Sequence, residues 1–154
     1  MSKSLRRVTR ALHEAGLEIT PVEMPGETRT AAQAAAEVGC ETDQIAKSIL
    51  FGRADGCALF LTAGGNTVDQ TKASALAGTD LARADAATVR AITGFAIGGV
   101  APVGHVSPSS IWMDPRLMEF ETVWAAAGTP RHVFPIAPER LQQITNAVVA
   151  PFTS

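Results

Sequence analysis

The apolar positions change period along the chain, and the changes divide it into short elements. Residues 4–15 carry apolar side chains at helical spacing and predict an amphipathic helix that stops at Gly16. LEIT (17–20) reads as a short strand, closed by Pro21 and the turn Pro25-Gly26. Thr30-Ala-Ala-Gln33 is a capping-box pattern opening the helix AAQAAAEV, which Gly39 ends. Asp43 is placed to cap one more turn. IAKSILF and CALFLTA are β-rich runs around the turn-forming GRADG and predict an antiparallel hairpin, followed by a turn at Gly64-Gly65-Asn66. Asp69 and Asp85 cap two helices that end at Gly78 and Gly94. IWMD, ETVWAAAG and HVFPI are strand-like, and Pro138 opens a last helix, PERLQQITNAVV. Strands and helices mixed in this way, with hairpin-length connections, predict an α/β or α+β domain around a mixed, curved sheet.

Composition narrows the class. The 154 residues hold no repeat and no long polar linker, so residues 1–154 are read as one domain with a single core. No apolar run approaches the roughly 20 residues of a membrane-spanning helix, so no membrane partner is expected. The start, MSKSLRRVTRALHEAG, is free of acids until Glu14; it reads as a weak transit peptide or as the domain's first amphipathic helix. Cys40 and Cys57 lie far apart without CxxC spacing, which fits a reducing, cytoplasmic compartment and no structural zinc. Each is a small buried residue or a reactive thiol. His13, His105 and His132 are scattered with no HxxxH or HExxH pattern, so no metal centre is expected. The net charge of −2 gives no global attraction to nucleic acid. Lys3, Arg6, Arg7 and Arg10, however, follow helical spacing and form either a basic stripe or a solvated face.

Three features could carry chemistry. On a strand with period two, Lys47 shares a face with Ile45, Ile49 and Phe51. A lysine there snorkels, pairs with an anion or lines a cavity; the other reading is an edge lysine that discourages sheet association. Asp114 ends IWMD and either caps a local turn or faces a pocket. The stretch GFAIGGVAPVGH (94–105) matches no P-loop, GxGxxG or GxSxG signature. It is either a plain glycine-rich loop or a backbone surface whose amides a ligand can approach, with Gly98 and Gly99 lacking Cβ atoms and Pro102 stiffening the turn. His105 is a polar loop residue or, given a partner, a base.

Taken together and in order, AAQAAAEVGCETDQIAKSILF, VDQTKASALAG, TGFAIGGVAPVGH and SSIWMD resemble the YbaK/prolyl-tRNA-synthetase-associated domain family. The similarity runs from about Thr30 to the last helix. It implies a mixed α/β pseudo-barrel capped by helices and a trans-acting aminoacyl-tRNA deacylase. Such a protein hydrolyses the ester of a mischarged tRNA, often one charged by prolyl-tRNA synthetase. The implied partners are the tRNA acceptor 3′ end and an aminoacyl-tRNA synthetase, with no metal and no cofactor. By position the resemblance puts catalysis on Lys47, Gly98 and Gly99, and substrate binding on Thr30, Pro102, Gly104, His105 and Asp114. In the YbaK proteins a glutamine often follows the loop's last glycine, where this chain has His105. The alternative of another class is a non-catalytic module of the same fold that holds tRNA or a synthetase.

Overall fold

Helix α1 (Lys3–Glu14) is capped by Ser2, whose hydroxyl accepts from the Leu5 amide, and it buries Leu5, Val8 and Leu12. Its other end explains a departure from the sequence reading. The Gly16 and Leu17 amides turn back onto the His13 and Leu12 carbonyls, the two bonds of a Schellman ending. Leu17 is therefore spent on closing the helix, and residues 17–20 form no strand. The computed structural model describes residues 2–26 and 30–154.

The remaining elements are β1 (Val22–Glu23), α2 (Ala31–Val38), β2 (Ile45–Arg53), β3 (Gly56–Ala63), α3 (Gln70–Ala77), β4 (Ala82–Arg83), α4 (Ala86–Thr93), β5 (Ser110–Met113), β6 (Val123–Ala126), β7 (His132–Ile136), α5 (Pro138–Thr145) and β8 (Val148–Val149). Thr30, Asp69 and Asp85 cap α2, α3 and α4 as their spacing predicts, and the capping box at Thr30 is complete. The short turn at Thr42–Gln44 takes Glu41, not Asp43, as its cap, because the Asp43 carboxylate is engaged elsewhere. The last helix stops early. Asn146 adopts a left-handed conformation at φ 55°, and the β-branched pair behind it becomes β8 alongside β5.

The strands form one mixed sheet in the order β1-β7-β6-β2-β3-β5-β8, with β4 on the outer edge of β2. The mixed α/β architecture is the expected one, but the sheet is open and does not close into a barrel. Its ends, β1 and β8, are two-residue strands that each have one neighbour. β3 is central and buried on both faces. Leu59, Leu61 and Ala63 enter the main core with α1, Phe95, Met113, Phe134 and Leu141. Ala58 and Phe60 point the other way, where Phe60 stacks on Trp112 at 5.0 Å and meets Phe152 edge-on at 4.9 Å. A third cluster under α2 contains Ile45, Ala34, Ala35, Met24 and Val133. Among the described residues no helix is long and apolar enough to cross a membrane.

Candidate functional site

β2 and β6 run parallel, but their pairing ends after Ile45↔Trp124 and Ala46↔Ala125. β2 gains its next outer neighbour, β4, only at Phe51. Among the described residues no strand lies beside the edge of β2 between these points, and a cavity of about 270 Å³ opens there. The crevice lies beyond the carboxyl end of β6 and beside the middle of β2, and crevices where strands of an open sheet part are common ligand sites. The walls include Thr30, which caps α2, Ala34 of α2, Lys47 and Ser48 of β2, and Gly98 and Val100 of the glycine stretch.

Lys47 sits at the seam between two apolar clusters, since Ile45 belongs to the one under α2 and Ile49 and Phe51 pack against the one under α3. Its ammonium donates to the Asn66 carbonyl at 2.6 Å, and among the described residues nothing else accepts from it. Burial lowers its pKa, and the negative charges of Asp114 and Asp43 oppose that shift. Burial disfavours the charged form, and nearby carboxylates favour it. Ser48 contributes an enclosed hydroxyl without a hydrogen-bond partner among the described residues.

Asp114 lies behind this lysine, not on the cavity wall. It is 2% exposed. Oδ2 accepts from the Ala63 amide at 3.1 Å and from Asn66 Nδ2 at 2.9 Å, and Oδ1 accepts from the Arg116 amide at 2.9 Å. Asp114 is thus both the turn cap and the anchor of the residue that receives Lys47. Asp43 completes the frame, accepting from the Gly65 amide at 2.7 Å and from Arg116 Nε at 3.0 Å. That guanidinium holds the Asp43 carboxyl below its usual range. The frame has no room to relax at Gly64, where a Cβ would collide with the Thr42 carbonyl.

The glycine stretch divides into two parts. Gly98 is third in the turn Ala96–Gly99, closed by the Gly99 amide donating to the Ala96 carbonyl at 3.0 Å. Its φ of +91° is the value a type II turn demands at that position, and glycine takes it without strain. Gly99 is buried, and a Cβ there would stand 3.0 Å from Thr129 Cα. Its amide is committed to the turn, donating to the Ala96 carbonyl. The Gly98 and Val100 amides have no acceptor among the described residues. Pro102, Gly104 and His105 face a different depression, between the end of α1 and α5. Gly104 receives Arg7 Nε on its carbonyl at 2.7 Å, and the Arg7 guanidinium lies 4.6 Å from the Phe95 ring centroid. Arg7 is therefore withdrawn from the basic stripe.

A family model for the aminoacyl-tRNA editing domain matches residues 25–144. The chain belongs to the aminoacyl-tRNA editing domain family. Among curated proteins, this editing domain is 29% identical over 147 residues to YwhH of Bacillus subtilis (strain 168), covering 95% of this chain and 94% of that one. Among solved structures it is similar to a candidate trans-editing enzyme for prolyl tRNA synthetase, at 45% identity and a TM-score of 0.95 over 100% of this chain and 99% of that one. It is also similar to the protein APE2540, at 27% identity and a TM-score of 0.87 over 96% and 99% of the two chains.

Within the editing domain, the structure brings Thr30, Lys47 and Gly98 to one cavity and leaves Pro102, Gly104 and His105 outside it. His105 Nε2 lies 2.6 Å from the Ala101 carbonyl, which can only accept, so this nitrogen carries the proton. Nδ1 then accepts from the Ser109 hydroxyl at 3.2 Å. Burial lowers the ring's pKa below its ordinary 6.5. The folded protein therefore binds the second ring proton, at Nδ1, more weakly than the unfolded chain does. The ring's contribution to stability is present above about pH 6.5 and is lost as pH falls through the depressed value. His105→Asn is expected to lower stability by about 1–2 kcal/mol in urea unfolding while leaving the cavity's chemistry unchanged. A loss of aminoacyl-tRNA editing beyond a few fold would return His105 to the site.

Neither cysteine lines the cavity, and burial raises both thiol pKa values, which makes them poor nucleophiles. Sequence reasoning missed Ser48, Asn66, Asp43 and Arg116. Ser48 and Asn66 gave no signal, since a hydroxyl in a strand and an asparagine in a turn are ordinary. Asp43 and Arg116 are 73 positions apart, and only the fold makes them neighbours.

Proposed function

We propose that this editing domain is a cytoplasmic, trans-acting aminoacyl-tRNA deacylase that hydrolyses the ester of a mischarged tRNA, one charged by prolyl-tRNA synthetase. The observation that carries the reading is the half-buried Lys47 ammonium in a small cavity also walled by Gly98. The similar trans-editing candidate for prolyl tRNA synthetase supports the choice of tRNA. A cavity of about 270 Å³ suits an aminoacyl group and leaves the body of the tRNA outside.

An aminoacyl ester is already labile, so a bound water can attack its carbonyl carbon without a side-chain nucleophile. The carbon–oxygen bond to the terminal ribose then breaks. One water proton goes to the departing ribose oxygen, directly or through the neighbouring hydroxyl, and the amino acid leaves as its carboxylate with release of the other. The protein holds the ester in place and stabilises the tetrahedral oxyanion, and no metal enters the reaction. Lys47 has two donors to offer, and the Gly98 and Val100 amides are free; oxyanion donors of this kind contribute about 3–4 kcal/mol each.

The test is release of amino acid from a panel of tRNAs, each mischarged with a different amino acid and incubated with the protein. Turnover of at least one mischarged tRNA(Pro), unaffected by a metal chelator, is expected. Binding of tRNA without turnover of any substrate would leave the non-catalytic module as the reading.

A further inference from the structure

We infer that the exposed face of α1 bearing Lys3, Arg6 and Arg10 docks the phosphate backbone of the tRNA acceptor stem and leads the 3′ end to the Lys47 cavity. This rests on the deacylase reading above. Burial of Leu5, Val8 and Leu12 fixes the helix's rotation, which leaves Lys3, Arg6 and Arg10 exposed along one side. From Lys3 to Arg10 the ridge is about 10 Å long at the helical rise. No ion pair engages these three among the described residues. The acid on the helix itself is Glu14, at its far end. The chain's net charge is −2, so a cluster of free cations here is a local feature.

The ridge is joined to the cavity. A second depression of about 460 Å³ is lined by Ser2, Leu5, Glu23 and residues 129–132. It shares Thr129, Pro130 and His132 with the Lys47 cavity. Glu23 is its acid, and it is paired with Arg131 at 3.4 Å. A strand leaving the cavity over Pro130 therefore arrives at the first turn of α1. The occupant is a polyanion, because Lys3, Arg6 and Arg10 outnumber Glu14, the one acid that shares their groove, and among the described residues this face carries no large exposed apolar side chain for a protein partner. Phosphate contacts position a nucleic acid without reading its bases, which suits an enzyme whose selectivity lies in its cavity.

The test compares Arg6→Gln/Arg10→Gln with the charge-matched Lys72→Gln/Arg140→Gln. Lys72 lies on α3, over the cluster on the other side of the sheet from α1. With uncharged tRNA(Pro) transcript, the α1 variant is expected to bind about tenfold or more weakly. Its log affinity against log salt should flatten by about two, one per phosphate contact. With mischarged tRNA, KM rises to match and kcat holds, whereas hydrolysis of a short aminoacyl-adenosine ester is unchanged. Affinity and salt slope equal to those of the control overturn the inference. Equal loss on the short ester also overturns it, because the effect would then be on the cavity. If even the unaltered protein hydrolyses nothing, the deacylase reading fails, and binding of uncharged tRNA still decides the role of the ridge.

Discussion

Lys47→Met is expected to reduce hydrolysis of the best mischarged tRNA by two to three orders of magnitude without lowering the protein's resistance to urea. On the proposed mechanism, the size of the loss follows from removing a charged oxyanion donor from a partly water-excluded site, where such a donor is worth about 10²–10³ in kcat. Stability moves independently. Burial lowers the lysine's pKa, so the folded protein binds this proton less tightly than the unfolded chain. At neutral pH the ammonium therefore opposes folding, and its penalty fades only as pH rises through the lowered value towards 10.5. Methionine matches the apolar stem and removes the charge. Asn66 loses one bond to its carbonyl, which offsets part of the gain. The same titration sets the pH profile: if the protonated amine holds the oxyanion, kcat falls as pH rises through the lowered pKa. Hydrolysis within tenfold of the unaltered protein, across the whole tRNA panel, would remove Lys47 from the chemistry.

How much of this was legible in the sequence depends on the range of the interactions. Local rules worked where local groups decide: the capping box at Thr30, the aspartate caps of α3 and α4, and the β2–β3 hairpin all appear as their residue patterns predict. They failed where a tertiary partner took over. Leu17 was claimed by the α1 ending, Asp43 by Gly65 and Arg116, and Val148–Val149 by the edge of β5. The period-two face of β2 correctly isolated Lys47 as an anomaly. Nothing local could show that β6 leaves β2 just before it, and this divergence turns a misplaced lysine into a cavity wall. The glycine stretch shows the same limit. Its composition announced a special backbone, yet one glycine serves the turn, the next a close approach to Thr129, and Gly104 the grip of Arg7.

Asp114 carries the second large prediction, because it separates a substrate-binding acid from one that positions Lys47. Asp114→Ala would leave the Ala63 amide, the Arg116 amide and Asn66 Nδ2 without their acceptor in a site that is 2% exposed. A cost of about 3 kcal/mol or more is expected, since each buried donor left unpaired costs about 1–3 kcal/mol. The informative variant is Asp114→Asn, which keeps the shape and one acceptor oxygen. Among the charges acting on Lys47, Asp114 is the strongest influence raising its pKa against burial. Neutralising it lets the lysine's pKa fall further, so the alkaline limb of the kcat profile moves to lower pH. KM for the mischarged tRNA should stay within about twofold, because Asp114 does not line the cavity. Asp43 remains as the weaker opposing charge, so the limb shifts and does not vanish. A variant with raised KM and an unmoved alkaline limb would place the Asp114 carboxylate on the substrate instead. An Asp114→Asn protein that is merely less stable, with both kinetic constants and the pH profile unchanged, would reduce Asp114 to the cap of its own turn.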